Sequence, residues 1–151
     1  MKTNSTRRTA LTAAGIGVLG TAFGPGLRAA DISPLEKANL QAVNDFCAAW
    51  PSRDPAKIMA FFADNCAYRM TETMEPSKGR EAVTSRVAGL APGVQGFEVL
   101  DSWARGPMVI NERIDRFSSG VLKSWHGVGV FFLKEGKIVE WYDYTVTMER
   151  R

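Results

Sequence analysis

Two segments of this chain each place a carboxylate among apolar side chains, and one of them adds an arginine two residues away. In the run Asn111-Glu112-Arg113-Ile114-Asp115, strand alternation puts Val109, Asn111, Arg113, Asp115 and Phe117 on one face. Ile110, Glu112, Ile114 and Arg116 then share the other. Near the C-terminus the same period groups Val139, Trp141, Asp143, Thr145 and Thr147. Both sets mix apolar side chains with a carboxylate, and Arg113 stands two residues from Asp115, close enough to pair with it on one side of the pleat. Charges flanked by Val, Phe and Trp are expensive to bury unless paired. Their presence among such neighbours therefore needs a reason. The simpler reading, and the one that alternation alone favours, is a solvated surface ion pair. Alternation also leaves open which face of the strand points inward.

Other residues that could carry chemistry are few. The sequence holds one histidine, His126, and two cysteines, Cys47 and Cys66. One histidine and two distant cysteines do not have zinc-site spacing, so no metal is expected. His126 reads as a structural or surface residue. Cys47 and Cys66 are either paired in an oxidising compartment or two small buried apolar residues. There is no phosphate-binding loop, dinucleotide glycine fingerprint or internal repeat. Glu72 and Glu75 read as solvated loop charges. Met70, Met74, Phe97, Trp103, Phe131 and Trp141 read as core or pocket wall.

The elements that must position these groups fall into two halves. Ser33-Pro34-Leu35-Glu36 has the form of a capped helix start, with Glu36 completing a capping box. Leu35, Ala38, Val43, Phe46, Cys47 and Trp50 recur at near-helical spacing until Pro51. Asp54-Pro55 opens a short second helix with Ile58, Phe61 and Phe62 on its apolar face, closed by Asp64-Asn65. Cys66 to Met70 reads as a strand. Gly79-Arg80 leads into a third helix through Ala82, Val83, Val87 and Leu90, ended by Gly89 to Gly93. The period then changes to two. Phe97–Arg105, Met108–Phe117, Lys123–Leu133 and Lys137–Thr147 read as strands, punctuated by Gly106-Pro107, Ser118-Ser119-Gly120 and Lys134-Glu135-Gly136. Helices followed by an antiparallel meander predict an α+β fold whose sheet curls around the helices, with a cavity suited to a small apolar ligand between the layers.

The chain has 151 residues, enough for one domain and a tail, and a formal charge of +3. Residues 1–30 hold Lys2, Arg7, Arg8 and Arg28 and no acid, so removing them leaves 15 basic against 16 acidic side chains. The basicity belongs to this leader, and a nucleic-acid partner is not expected. The leader has the three parts of an export signal: a basic start, a weakly apolar stretch from Leu11 to Leu27, and Ala29-Ala30 before Asp31. Arg7 and Arg8, with Thr6 before them and Leu11 after, resemble a twin-arginine signal read by the export machinery. Its glycines make the stretch a poor membrane anchor. The reading is therefore a signal at 1–30, a domain at 31–151, and a periplasmic or secreted destination.

Several motifs in order resemble limonene-1,2-epoxide hydrolase, within the nuclear transport factor 2-like and SnoaL-like superfamily. They are Ala67-Tyr68, Gly79-Arg80-Glu81-Ala82-Val83, Ala88-Gly89-Leu90, Asn111-Glu112-Arg113-Ile114-Asp115, Gly129-Val130-Phe131, Glu135-Gly136-Lys137-Ile138 and Trp141-Tyr142-Asp143-Tyr144. The resemblance runs from about Glu36 to Tyr144. It implies a curved mixed, mainly antiparallel sheet wrapped around N-terminal helices as a cone with an internal pocket. It also implies Asp143 as general base, Asp115 as general acid, Arg113 between them and Tyr68 holding the attacking water. The substrate would be a small hydrophobic epoxide with water as co-substrate, no cofactor would be needed, and the assembly by analogy would be a homodimer. Val109, Phe131, Trp141 and Met70 are the expected substrate pocket, with Trp141 the aromatic that touches substrate. In one respect the chain departs from the family. Met70 replaces an Asn that anchors the water, leaving Thr71, Glu72 or Thr73 to take over. Two other readings compete: an isomerase or cyclase step on the same scaffold, and noncatalytic binding of apolar ligands in the periplasm.

Overall fold

The computed structural model describes residues 31–151. The expected export signal, with Arg7 and Arg8, lies outside the described residues. Ser33 caps α1 (Pro34–Ala49): its side chain accepts from Glu36 N, and Glu36 returns a bond to Ser33 N at 2.8 Å. The other Glu36 oxygen accepts from Gly106 N at 2.8 Å, while Asn39 donates to Gly106 O at 3.0 Å. One face of the first helical turn thus serves a hairpin backbone instead of the core. This explains why Leu35 and Ala38, expected to be apolar contacts, are exposed while Asn39 is buried. The apolar face proper is Val43, Phe46, Cys47 and the following Trp50.

A short 3₁₀ turn (Trp50–Ser52) and α2 (Pro55–Met59), capped by Asp54, lead into β1 (Phe62–Arg69). This strand starts four residues before the expected one, and Asp64-Asn65 lie within it instead of closing α2. Its pairing with the last strand skips from Phe62 to Ala67, so both residues sit exposed in a bulge where turn-forming side chains are tolerated. The two-residue β2 (Ser77–Lys78), too short to show a period, precedes α3 (Arg80–Leu90), which runs on through Gly89. The meander is β3 (Val94–Arg105), β4 (Met108–Phe117), β5 (Leu122–Lys134) and β6 (Lys137–Arg150).

The six strands form one open sheet in the order β2-β1-β6-β5-β4-β3, antiparallel except where β1 runs parallel to β6. This is the expected α+β architecture, with a mixed, mainly antiparallel sheet on N-terminal helices. Phe46 of α1 sits at the centre of an aromatic core, its ring 5.0–6.0 Å from those of Trp50, Phe61, Phe62, Phe131 and Trp141. Trp103, read as core or pocket wall, is half exposed on the opposite face of the sheet, because β3 is an edge strand with only one neighbour.

Register fixes what lies beside what on the inner face. Tyr68, Trp141, Phe131 and Val109 form one cross-strand row. The next row is Asp143, Gly129 and Asn111, then Thr145, Gly127 and Arg113, then Met148, Trp125, Asp115 and Phe97. Two irregularities in β6 opposite β5 interrupt the simple alternation. One displaces Val139, so that Ile138 is buried in its place. The other lies at Val146 and turns Met148 inward, leaving Thr147 outside the set expected to share a face with Asp143. Only Trp141, Asp143 and Thr145 of that set stay together.

Candidate active site

The inward face of β4 is the one carrying Asn111, Arg113 and Asp115, and all three are buried. Arg113 is 0% exposed. Its Nε donates to Asp115 Oδ1 at 2.9 Å, and its Nη2 reaches Asp143 Oδ1 at 2.9 Å and Asp115 Oδ2 at 3.4 Å. Nη1 donates to Asn111 Oδ1 at 3.2 Å. The rings of Phe97, Trp125 and Trp141 lie 4.9, 5.0 and 5.4 Å from the guanidinium carbon, giving the cation an aromatic surround. The surface ion pair that alternation favoured is therefore a buried triad.

Glycine makes room for it. A Cβ on Gly129 would collide with Arg113 Nη1 and approach Phe131 to 2.7 Å, and one on Gly127 would run into the Trp125 ring. Two residues without side chains, on the strand between β4 and β6, thus allow an arginine to lie flat against the sheet and reach Asp143.

Burial and pairing act against each other on the carboxyls. Burial pushes Asp115 up to about 7 against the attraction of Arg113, and the negative charge of Asp143 adds to the rise. Asp143 is pushed up by burial to about 6, restrained by Arg113 and by hydrogen bonds from Arg113, Trp141 and Tyr68. Trp141 Nε1 donates to Asp143 Oδ1 at 2.7 Å. Burial opposes the charge of Arg113 too, but Asp115 and Asp143 outweigh it and hold the guanidinium more firmly charged than usual. Burial and the nearby charge of Asp143 keep the Tyr68 hydroxyl protonated. Burial of two carboxyls beside one guanidinium thus poises the pair to share one proton near neutral pH.

Asp115, Asp143, Tyr68, Met70 and Thr71 line a cavity whose remaining wall includes Trp50, Leu90, Phe97, Phe117, Trp125 and Met148. Val109, Phe131 and Trp141, expected on that wall, are not on it. They lie one row deeper and are 0% exposed, with Trp141 stacked between Tyr68 at 3.8 Å and Phe131 at 5.7 Å. Trp141 holds the carboxylate from beneath instead of facing the cavity. Arg113, too, touches the cavity only through its carboxylate partners. Of the three residues expected to stand in for the missing Asn at Met70, Thr71 alone lines the cavity. Thr71 Oγ1 lies 3.2 Å from Thr73 Oγ1, while Glu72, an exposed loop charge as expected, also accepts from Thr145 N at 3.1 Å and ties this loop to β6. Glu75 is exposed.

Sequence reasoning missed Trp125, whose indole N–H donates to Thr145 Oγ1 at 3.1 Å, and Trp50, Leu90, Phe117 and Met148. Trp125 shares its register position with Asp115, a cross-strand signal that a single strand read alone does not show. His126 faces away from the cavity and meets Glu112 Oε1 at 2.7 Å, a structural role as expected. Cys47 and Cys66 are buried free thiols, the second of the two readings. Among the described residues no group of three or more metal-ligating side chains converges, and no helix is long and apolar enough to cross a membrane.

A family model for the SnoaL-like domain matches residues 43–141. An LEH-like epoxide hydrolase from M. tuberculosis is 26% identical, with TM-score 0.64 over 74% of this chain and 85% of its own. A Jannaschia protein assigned as a SnoaL-like polyketide cyclase is 15% identical, with TM-score 0.64 over 77% of this chain and 90% of its own. A protein of unknown function from Mesorhizobium loti, described as like nuclear transport factor 2, is 20% identical, with TM-score 0.64 over 76% and 96%. The last two likenesses speak to fold alone.

Both carboxyls titrate above their unfolded values. Their contribution therefore favours the fold below the ordinary carboxylate range and is lost as pH rises through about 6 and 7. Arg113→Met removes the only cation among these groups. It is expected to destabilise the fold by about 3–5 kcal/mol at pH 8, where both carboxyls must ionise or take up protons. At pH 5, where both are protonated, the loss is expected to be much smaller, and urea unfolding at the two pH values measures the difference.

Proposed function

Since the chain belongs to the SnoaL-like domain family, we propose that its cavity hydrolyses a small hydrophobic epoxide to a vicinal diol without a cofactor. The observation that carries this reading is the single Arg113 nitrogen shared by Asp143 and Asp115, which leaves one carboxyl to accept a proton while the other donates one. In the proposed step a water lies between Asp143 and the epoxide. Its oxygen bonds to a ring carbon as its proton passes to the Asp143 carboxylate, the ring C–O bond breaks, and the departing oxygen takes the proton of Asp115. Exchange with water in the cavity then restores both protonation states. Tyr68 and Thr71, both on the cavity wall, would hold the attacking water, Thr71 in place of the Asn that Met70 replaces. The largely apolar wall suits a substrate whose polarity is concentrated at the epoxide.

A second reading has specific support. A carboxylic acid kept neutral to about pH 7 in an apolar cavity also serves as a donor to an oxyanion, as an isomerase or cyclase step would need. Epoxides incubated in ¹⁸O-labelled water separate the two. The hydrolase reading predicts one labelled oxygen in the diol, a bell-shaped pH profile with limbs near 6 and 7, and a loss of about 10²–10⁴-fold on Asp143→Asn. Turnover without label, with Asp115→Asn tolerated, would favour the isomerase. Binding without turnover would favour the carrier.

We further propose export and dimerisation. Export rests on the paired Arg7 and Arg8 ahead of a weakly apolar stretch. Arg7→Lys with Arg8→Lys is expected to leave the precursor in the cytoplasm on cell fractionation. Pairing of two copies through the outer sheet face has support in the apolar row Trp103, Ile110, Val130 and Tyr142. Sedimentation equilibrium is expected to return twice the chain mass, and a single-chain mass would reject the dimer.

A further inference from the structure

We infer that Asn111, its amide oriented by Cys47, is a positioning residue that holds the Arg113 guanidinium in the rotation where one nitrogen bridges both carboxylates. Its consequence for turnover rests on the reading just proposed, but its geometry does not. The guanidinium is a rigid planar fork, so pinning one nitrogen sets the direction of the other two. Nε and Nη2 face the carboxylates, and Nη1 is the nitrogen that Asn111 Oδ1 holds at 3.2 Å. Asn111 is 0% exposed and does not line the cavity, so it meets no substrate.

An asparagine amide has two ends of similar shape and opposite polarity, and its partners decide which end points where. Here Nδ2 donates to Cys47 Sγ on α1 at 3.3 Å. The reversed amide would set its NH₂ against the N–H groups of Arg113. Burial pushes the Cys47 thiol up to about 12, so it stays a neutral partner and adds no charge beside the guanidinium. The acceptor on Nη1 is neutral as well, which leaves the charge of Arg113 to its two carboxylates. Gly129 completes the fit, since a Cβ there would lie 2.9 Å from Asn111 Oδ1. A leucine would fill the space of Asn111 without a buried polar group to satisfy, so packing alone does not account for this amide.

The test reads the carboxyls directly. Carboxyl ¹³C titrations are recorded on the full chain labelled at aspartate, with the Asp115 and Asp143 resonances assigned from their Asn variants. Asn111→Leu and Cys47→Ala are each expected to raise the Asp143 midpoint by about one pH unit, as its bond to Nη2 loosens. Cys47→Ser keeps an acceptor for the amide and is expected to retain the wild-type midpoint. Where diol forms, kcat is expected to fall about tenfold for the first two variants, with KM little changed. A folded Asn111→Leu variant with an unmoved Asp143 midpoint would overturn the inference, and so would an unmoved midpoint in Cys47→Ala should Asn111→Leu fail to fold. Shifted midpoints in a protein that makes no diol would sink the hydrolase reading and leave this one standing.

Discussion

A fully buried guanidinium is the constraint around which this domain is arranged. An unpaired cation there would cost far more than the few kcal/mol by which domains are stable. Arg113 is tolerated because two carboxylates, an amide oxygen and three aromatic faces surround it. The dependence runs both ways. Without the arginine, Asp115 and Asp143 would be two acids in an apolar cavity, and burial would drive both towards the neutral form. With one cation between two anions the group falls one charge short of neutrality, and a single added proton restores it. The same imbalance that costs stability at high pH keeps a donor and an acceptor side by side near neutrality.

The fold supplies this arrangement through register. Asp143 is one row above Arg113 on the inner face and Asp115 one row below, so the guanidinium spans both. Gly127 and Gly129 clear the strand between them. The row beyond Asp143, Tyr68 on Trp141 on Phe131, is stacked aromatic packing that ends in a hydrogen bond from Trp141 to Asp143. Core and site are thus continuous: the ring that packs under Phe46 also orients the carboxylate.

Much of this is legible in the residues. The Ser33–Glu36 capping box, the Gly79-Arg80 helix start and the Met108–Phe117 strand follow from local chemistry, and each is found where that chemistry puts it. The pairing of Arg113 with Asp115 follows from period two. The bulges do not, since Val139 and Val146 are displaced by pairing with a neighbouring strand and nothing in their own segment marks them. The same limit separates wall from core. Trp141 and Asp143 share a face, yet one is a row too deep to reach the cavity, and depth is a property of several strands in register. Asn39 and Glu72 were masked by polarity, their partners being backbone groups far along the chain.

One proton shared by Asp115 and Asp143 beside Arg113 is what this charge balance requires near neutral pH. Infrared spectroscopy between pH 6 and 7 tests it most directly, because a buried protonated carboxyl has a C=O stretch distinct from a carboxylate. One such band is expected in the wild-type protein and is lost in Asp115→Asn, where Arg113 has a single carboxylate left to neutralise. A wild-type spectrum without the band, or a band that survives Asp115→Asn, would contradict it.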